Sequence, residues 1–194
     1  MTILKGTKTG INLMKAFAGE SQARNRYDYY ASVAGREGYK QIEHVFRETA
    51  DQEKEHAKRL FRLMGGFAAE CEITASFPVG PEKDTIGNLK DSAAGENHEH
   101  SSMYPEFAKT ADEEGFPEIA KVFRSIAVAE HFHEQRFLGL AKNIADNKVF
   151  SKDSKTGWRC RNCGYVMENS ANAPAKCPAC DHPQAHFETL SINW

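Results

Sequence analysis

Ile42-Glu43-His44-Val45-Phe46-Arg47-Glu48-Thr49-Ala50-Asp51-Gln52-Glu53-Lys54-Glu55-His56-Ala57-Lys58-Arg59-Leu60-Phe61-Arg62-Leu63 is the stretch that decides the fold. Ile42, Val45, Phe46, Thr49, Leu60 and Leu63 recur at spacings of three and four, the signature of one buried helix face. Glu53 and His56 fill the gap in that apolar stripe. Further along, Ile119, Val122, Phe123, Ile126, Phe137 and Leu140 repeat the stripe, and Glu130 and His133 fill the same gap. The pattern therefore predicts a carboxylate and an imidazole aimed into a helical core, twice over. Glu-x-x-His sets both side chains one turn apart on one face, where they can grip the same metal. A single such pair is weak and reads as a solvated face. Two pairs at equivalent positions, each interrupting an apolar stripe, reverse that reading.

The equivalence extends outward. Ala18-Gly19-Glu20 recurs as Ala94-Gly95-Glu96, Glu37-Gly38-Tyr39 as Glu114-Gly115-Phe116, and Val45-Phe46-Arg47 as Val122-Phe123-Arg124. The period is about 76–77 residues, and its slip of one residue after the first triplet suggests a loop insertion. Gly38 and Gly115 mark breaks between long helices, Pro117 suits a first helical turn, and Asp84-Thr85 suits a cap. Each half is thus an antiparallel helical hairpin. The stretch from Gly65 to Asp84, with Gly, Pro and little periodicity, is a long crossover between them. That connectivity predicts an all-α, ferritin-like four-helix bundle over residues 1–147.

Glu20 and Glu96 lie on the stripes containing Leu13, Phe17 and Tyr27, and Leu89, Ala93 and Met103. An ionised carboxylate in an apolar core must neutralise or find a cation. Four glutamates and two histidines converging from four helices make a set suited to two iron or manganese ions. Glu99, one turn after Glu96, breaks the symmetry, because its counterpart is Ala23. It is read as a seventh ligand belonging to one metal, against a surface glutamate beside His98 and His100. Tyr27 and Tyr104 are candidate hydrogen-bond donors to the carboxylates or to bound oxygen species, against ordinary core tyrosines. His44, His98, His100 and His131 are assigned to the surface or to positions behind the ligands.

After Asn147 the periodicity stops. Residues 148–156 read as a polar linker and 157–194 as a separate small unit. Cys160-Arg161-Asn162-Cys163 and Cys177-Pro178-Ala179-Cys180 are two Cys-x-x-Cys knuckles separated by 13 residues. Two such turns close a thiolate tetrahedron around zinc or iron. Spacing alone leaves both open and favours structural zinc; beside a redox-capable bundle an electron-carrying iron is the better expectation. So short a tail needs the metal and the aromatics Trp158, Tyr165, Phe187 and Trp194 to hold it.

The whole chain sets further bounds. It has 194 residues, five cysteines and a formal net charge of −2. Near-neutrality argues for neither nucleic acid nor a membrane surface as partner. The start, Met1-Thr2-Ile3-Leu4-Lys5-Gly6-Thr7-Lys8, has no apolar signal core, and a cysteine cluster without one is expected to be reduced and cytoplasmic. Cys71 stands alone.

Together these motifs resemble the rubrerythrin family over the full length: Ala-Gly-Glu20, Glu53-x-x-His56, Glu96-Asn97-His98-Glu99, Glu130-x-x-His133, then the two cysteine knuckles. The resemblance implies a peroxidase that reduces hydrogen peroxide to water, with a non-haem diiron site in the bundle and a rubredoxin-like Fe(Cys)4 domain. By motif match, Glu20, Glu53, Glu96, Glu99, Glu130 and His133 would ligate the diiron pair. His56 would share one iron position with Glu99, the iron moving between them with redox state. Cys160, Cys163, Cys177 and Cys180 would hold the single iron. The resemblance also implies a homodimer in which one subunit's tail serves the other's bundle. The external electron donor would be a rubredoxin or an NAD(P)H-dependent reductase. Two departures from a free-standing rubredoxin, a short segment between the knuckles and Asp181 where glycine commonly follows the second, bear on the tail's potential more than on its ligation. The rival readings are a ferroxidase with a structural zinc tail, a zinc-ribbon adaptor, and a diiron oxygenase.

Overall fold

The structure is a computed structural model that describes residues 4–66 and 70–193. Trp194, expected to help hold the tail, and Met1 to Ile3 of the N-terminal reading lie outside the described residues. Helices α1 (Lys8–Arg36) and α2 (Lys40–Leu63) form one hairpin. The second pairs α5 (Pro117–Ala145) with a rod made of α3 (Thr85–His98), a π-helical turn (Glu99–Met103) and α4 (Tyr104–Glu113). Described residues 70–84 of the crossover carry no regular structure.

The two hairpin turns show why Glu-Gly-aromatic repeats. Gly38 and Gly115 sit at φ 85° and 82°, which an L side chain rarely adopts. The aromatic amides then close the outgoing helices, Tyr39 N onto Ala34 O at 2.9 Å and Phe116 N onto Ala111 O at 2.7 Å. The glutamates cross to the other half. Glu37 accepts from the Thr85 amide at 3.0 Å, and Glu114 accepts from those of Lys8 and Thr9 at 3.0 and 2.7 Å. Each turn therefore caps the first helix of the opposite hairpin, placing an acid at a helix N-terminus. Asp84 caps α3 as expected, accepting from Gly87 N at 2.8 Å, and Pro117 occupies the first turn of α5.

One expectation is corrected. The slip in the repeat is not a loop insertion. Glu20 to Tyr27 spans seven residues and Glu96 to Tyr104 eight. The added residue lies within the third rod, where the backbone widens into the π turn. An α-helix absorbs one extra residue this way without losing the face on either side.

The apolar core is divided in two. Tyr27, Tyr30, Ile42, Phe46, Leu89 and Phe137 pack toward one end of the bundle, and Leu13, Leu60, Tyr104, Ile119, Phe123 and Ile126 toward the other. Between them, Glu20, Glu53, Glu96, Glu130 and His133 form a buried polar band.

The tail is a three-stranded antiparallel sheet in the order β2-β1-β3, with β1 Ser151–Cys160, β2 Val166–Asn172 and β3 Phe187–Thr189. Residues 151–156, read as linker, belong to β1. Their side chains are polar, so hydropathy gives no sign of a strand that backbone pairing and two register shifts against β2 define. Trp158 and Phe187 are fully buried beside Cys160, Cys177 and Ala173, and Trp158 Nε1 donates to Ser170 O at 3.0 Å. Phe150 stacks on Tyr39 at 6.2 Å, which sets the tail against the α1–α2 turn of its own bundle.

Candidate metal centre

The band in the bundle resolves into two quartets of ligand atoms. One comprises Glu20, Glu53, His56 and Glu130, the other Glu53, Glu96, Glu130 and His133, and within each set the atoms lie within 4.8 Å of one another. His56 Nδ1 is 3.0 Å from Glu53 Oε2, 3.0 Å from Glu130 Oε1 and 3.6 Å from Glu20 Oε2. His133 Nδ1 is 2.8 Å from Glu130 Oε2, 3.1 Å from Glu53 Oε1 and 3.6 Å from Glu96 Oε2. Glu53 and Glu130 thus give one oxygen to each quartet, while Glu20 and Glu96 each serve one. That is the geometry of two adjacent cation positions with two shared carboxylates.

The donor set fits two divalent metals on its own evidence. Glu20 Oε2, Glu53 Oε1, Glu96 Oε2, both Glu130 carboxyl oxygens and His133 Nδ1 are buried without a hydrogen-bond partner. Buried polar atoms of that kind are costly, so each needs a ligand. Glu99 brings the number of ionisable carboxyls here to five, and two divalent cations would cancel four of their charges. Without metal, the chain must share protons instead. Burial first, then the Glu53 carboxylate, pushes Glu20 well up, and burial pushes Glu96 up to about 8. Burial opposes protonation of His133, yet its contacts with Glu130, Glu53 and Glu96 push it up to about 12. Burial would raise Glu53, but the two imidazoles hold it down at about 2.

The two tyrosines cross the repeat. Tyr104 donates to Glu20 Oε1 and Tyr27 to Glu96 Oε1, so each half's phenol anchors the other half's terminal carboxylate. Burial first, then the adjoining carboxylates, pushes both phenols well above their ordinary range, and they keep their protons.

Glu99 is half-buried in the π turn and belongs to neither quartet. Burial, then the carboxylates of Glu96, Glu130 and Glu53, pushes its carboxyl well up, so it faces the band from one side without joining it. Sequence reasoning missed Gln52. Its carbonyl accepts from His133 Nε2 at 3.0 Å, which turns Nδ1 toward the carboxylates. The counterpart of Gln52 is Ala129, so His56 has no matching brace. It is 19% exposed at its side chain and lines a groove along α2 with His44, Arg47 and Gln52. The two metal positions therefore differ, one ringed by a braced histidine and one open at its histidine.

In the tail, Cys160, Cys163, Cys177 and Cys180 bring their sulfurs within 4.8 Å of one another. Cys160 Sγ lies 3.8 Å from Cys180 Sγ, and Cys163 Sγ lies 3.7 Å from Cys177 Sγ. Disulfide sulfurs would sit about 2.05 Å apart. A tetrahedron with metal–sulfur bonds of about 2.3 Å has edges of about 3.8 Å. Gly164 at φ 81° and Asp181 at φ 65° let the two knuckles turn back. Asp181 thus adopts the conformation for which glycine was expected. The His182 amide, the largest influence on the Cys180 thiol, helps lower it to about 6.

Comparison with known proteins agrees with both halves. The family model described as Rubrerythrin matches residues 12–141, and that of its rubredoxin-like domain matches residues 158–188. A rubrerythrin of Nitratidesulfovibrio vulgaris (strain Hildenborough) is 58% identical over 194 residues, covering 100% of both chains. The fully reduced, all-ferrous state of nigerythrin superposes with a TM-score of 0.62 at 30% identity, over 97% of this chain and 92% of that one. The bacterioferritin of Desulfovibrio desulfuricans, 20% identical with a TM-score of 0.65 over 73% of this chain and 82% of that one, shares the bundle fold.

Proposed function

The chain belongs to the rubrerythrin family, and we propose that it is a non-haem diiron peroxidase that reduces hydrogen peroxide to water in oxidative-stress defence. The observation that carries this reading is the pair of quartets sharing Glu53 and Glu130. Hydrogen peroxide takes two electrons and two protons to give two waters. Two ferrous ions, if held by the quartets, would supply the electrons together, and an iron held by the four cysteines would supply their replacements singly. The chain's own groups do the rest. Glu20, Glu53, Glu96, Glu130, His56 and His133 would hold the pair, with Glu53 and Glu130 common to both quartets. Tyr27 and Tyr104 fix Glu96 and Glu20 and carry protons beside the reacting space. As the resemblance implies, Glu99 would offer a further carboxyl to the iron that His56 serves, and the unbraced His56 would be the ligand that exchanges with it. Burial between the two apolar halves keeps bulk water from the carboxylates.

The relay has a geometric constraint. The tail packs at Tyr39, and Glu53 lies 14 residues further along α2. At 1.5 Å per residue that is about 21 Å, and tunnelling rates fall exponentially with distance. We infer a homodimer in which each tail serves its partner's bundle, an arrangement that would shorten the path. The tail iron would itself be reduced by an external rubredoxin or NAD(P)H-dependent reductase.

The test is visible absorbance of the anaerobically reduced protein as one equivalent of hydrogen peroxide is added. Prompt return of a ferric–thiolate band is expected, because electrons leave the tail through the bundle. Absence of that band from fully oxidised protein would place zinc in the tail and favour a ferroxidase.

A further inference from the structure

A second set of metal-binding donors lies on the outside of the bundle. His100 in the π turn and His131 and Glu134 on α5 bring one ligand atom each within 4.8 Å of the others. His100 Nε2 is 2.7 Å from Glu134 Oε2, and the two imidazoles meet edge to face at 4.9 Å. Asn97 Nδ2 holds the other carboxyl oxygen of Glu134 at 3.0 Å. The Gln135 amide donates to His131 Nε2 at 2.8 Å. His131 is exposed, while His100 and Glu134 are half-buried, which leaves a side of the cluster open to water ligands.

We propose that His100, His131 and Glu134 form a third metal site, for one divalent transition-metal ion such as zinc, cobalt or ferrous iron. Two imidazoles and a carboxylate with open positions are the donors such ions take. Calcium and magnesium, which call for oxygen donors, do not fit. Two features separate the cluster from a chance surface grouping. The donors come from two elements, and the carboxylate is oriented by Asn97. His131 and Glu134 directly follow Glu130 and His133 of the buried band, and His100 follows Glu99 beside it. An ion here would tie the π turn to α5. The sequence gives no hint of it, because His100 has no repeat partner and a helix-surface Glu134 is commonplace.

The experiment is calorimetric titration of the full-length, iron-loaded protein with zinc chloride, with iron content measured before and after. The wild type is expected to bind one zinc with no loss of iron. His131→Ala and Glu134→Gln, both outside the buried band, are each expected to weaken that binding at least about tenfold. Their iron content and helical circular dichroism should match the wild type. Absence of a stoichiometric zinc, zinc taken up only as iron is lost, or wild-type affinity in both variants would overturn the assignment.

Discussion

Glu99 is the one carboxyl beside the band that has no repeat counterpart, since Ala23 at the equivalent position is a buried core residue; of the two histidines, His56 lacks the brace that Gln52 gives His133. If Glu99 serves turnover, Glu99→Ala should retain the helical signal and lower peroxide turnover at least about tenfold. Steady-state peroxidase assay beside circular dichroism measures both, and an unaltered rate would make Glu99 an ordinary half-buried glutamate. The same band sets the pH response of the metal-free chain. Glu20, Glu96 and Glu99 are raised above the ordinary 4.5, so what they contribute to stability is whole below that pH and is lost as pH rises, through about 8 for Glu96. His56 and His133 are raised above 6.5, and their share is lost further into alkali, through about 12 for His133. Glu53 is opposite: its share is present above 4.5 and lost only toward about 2. Chelator-stripped protein should therefore melt lower at about pH 9 than at about pH 6, with circular dichroism at 222 nm as the readout. A higher melting temperature at pH 9 would show that the carboxyls do not share protons. Glu20, Glu53, Glu96 and Glu130 were legible in the sequence because each interrupts an apolar stripe and has a counterpart one repeat away, Glu20 with Glu96 and Glu53 with Glu130. Gln52 was not, since a polar residue with no repeat partner looks like any helix surface.

At the scale of the element, the hairpin turns carry the repeat's logic. Gly115 is at φ 82° with open space around its α-carbon, so its substitution is limited by backbone conformation alone. Gly115→Ala should destabilise by about 1–2 kcal/mol. Gly139, exposed inside α5 with nothing near an added methyl, is the contrast, and Gly139→Ala should stabilise by up to about 1 kcal/mol. Melting temperatures of the two variants should move in opposite directions, by about 2–4 °C per kcal/mol for a chain this size. A common direction would mean that the Gly115 turn is not held left-handed. Helix lengths, breaks and caps were readable because glycine, proline and aspartate signal them locally. The π turn was readable only as a one-residue slip, which has the same sequence signature as a longer loop. The first part of β1 was hidden because its polar residues gain their order from strand pairing and the thiolate cage, neither of which leaves a hydropathy period.

At the scale of the molecule, the division of labour between bundle and tail is the feature that most needs testing. The tail's buried centre is small, chiefly Trp158, Phe187, Ala173 and two of its cysteines, so its fold depends on the thiolate cage more than on apolar area. The bundle keeps its own two apolar halves and its own ligands, and does not need the tail to hold metal. Cys160→Ser should therefore leave the bundle's iron content unchanged while breaking the cage. Two rates then separate relay from structural damage. Oxidation of the pre-reduced bundle by a single equivalent of peroxide uses only electrons already in place, and should proceed as in the wild type. Steady-state turnover with an external reductant draws every later electron through the tail, and should fall at least about tenfold in the variant. Loss of both rates would mean that the substitution damaged the bundle. Retention of both would mean that electrons reach the bundle by another path, and the relay would have to be abandoned even though the cage and the quartets share one chain.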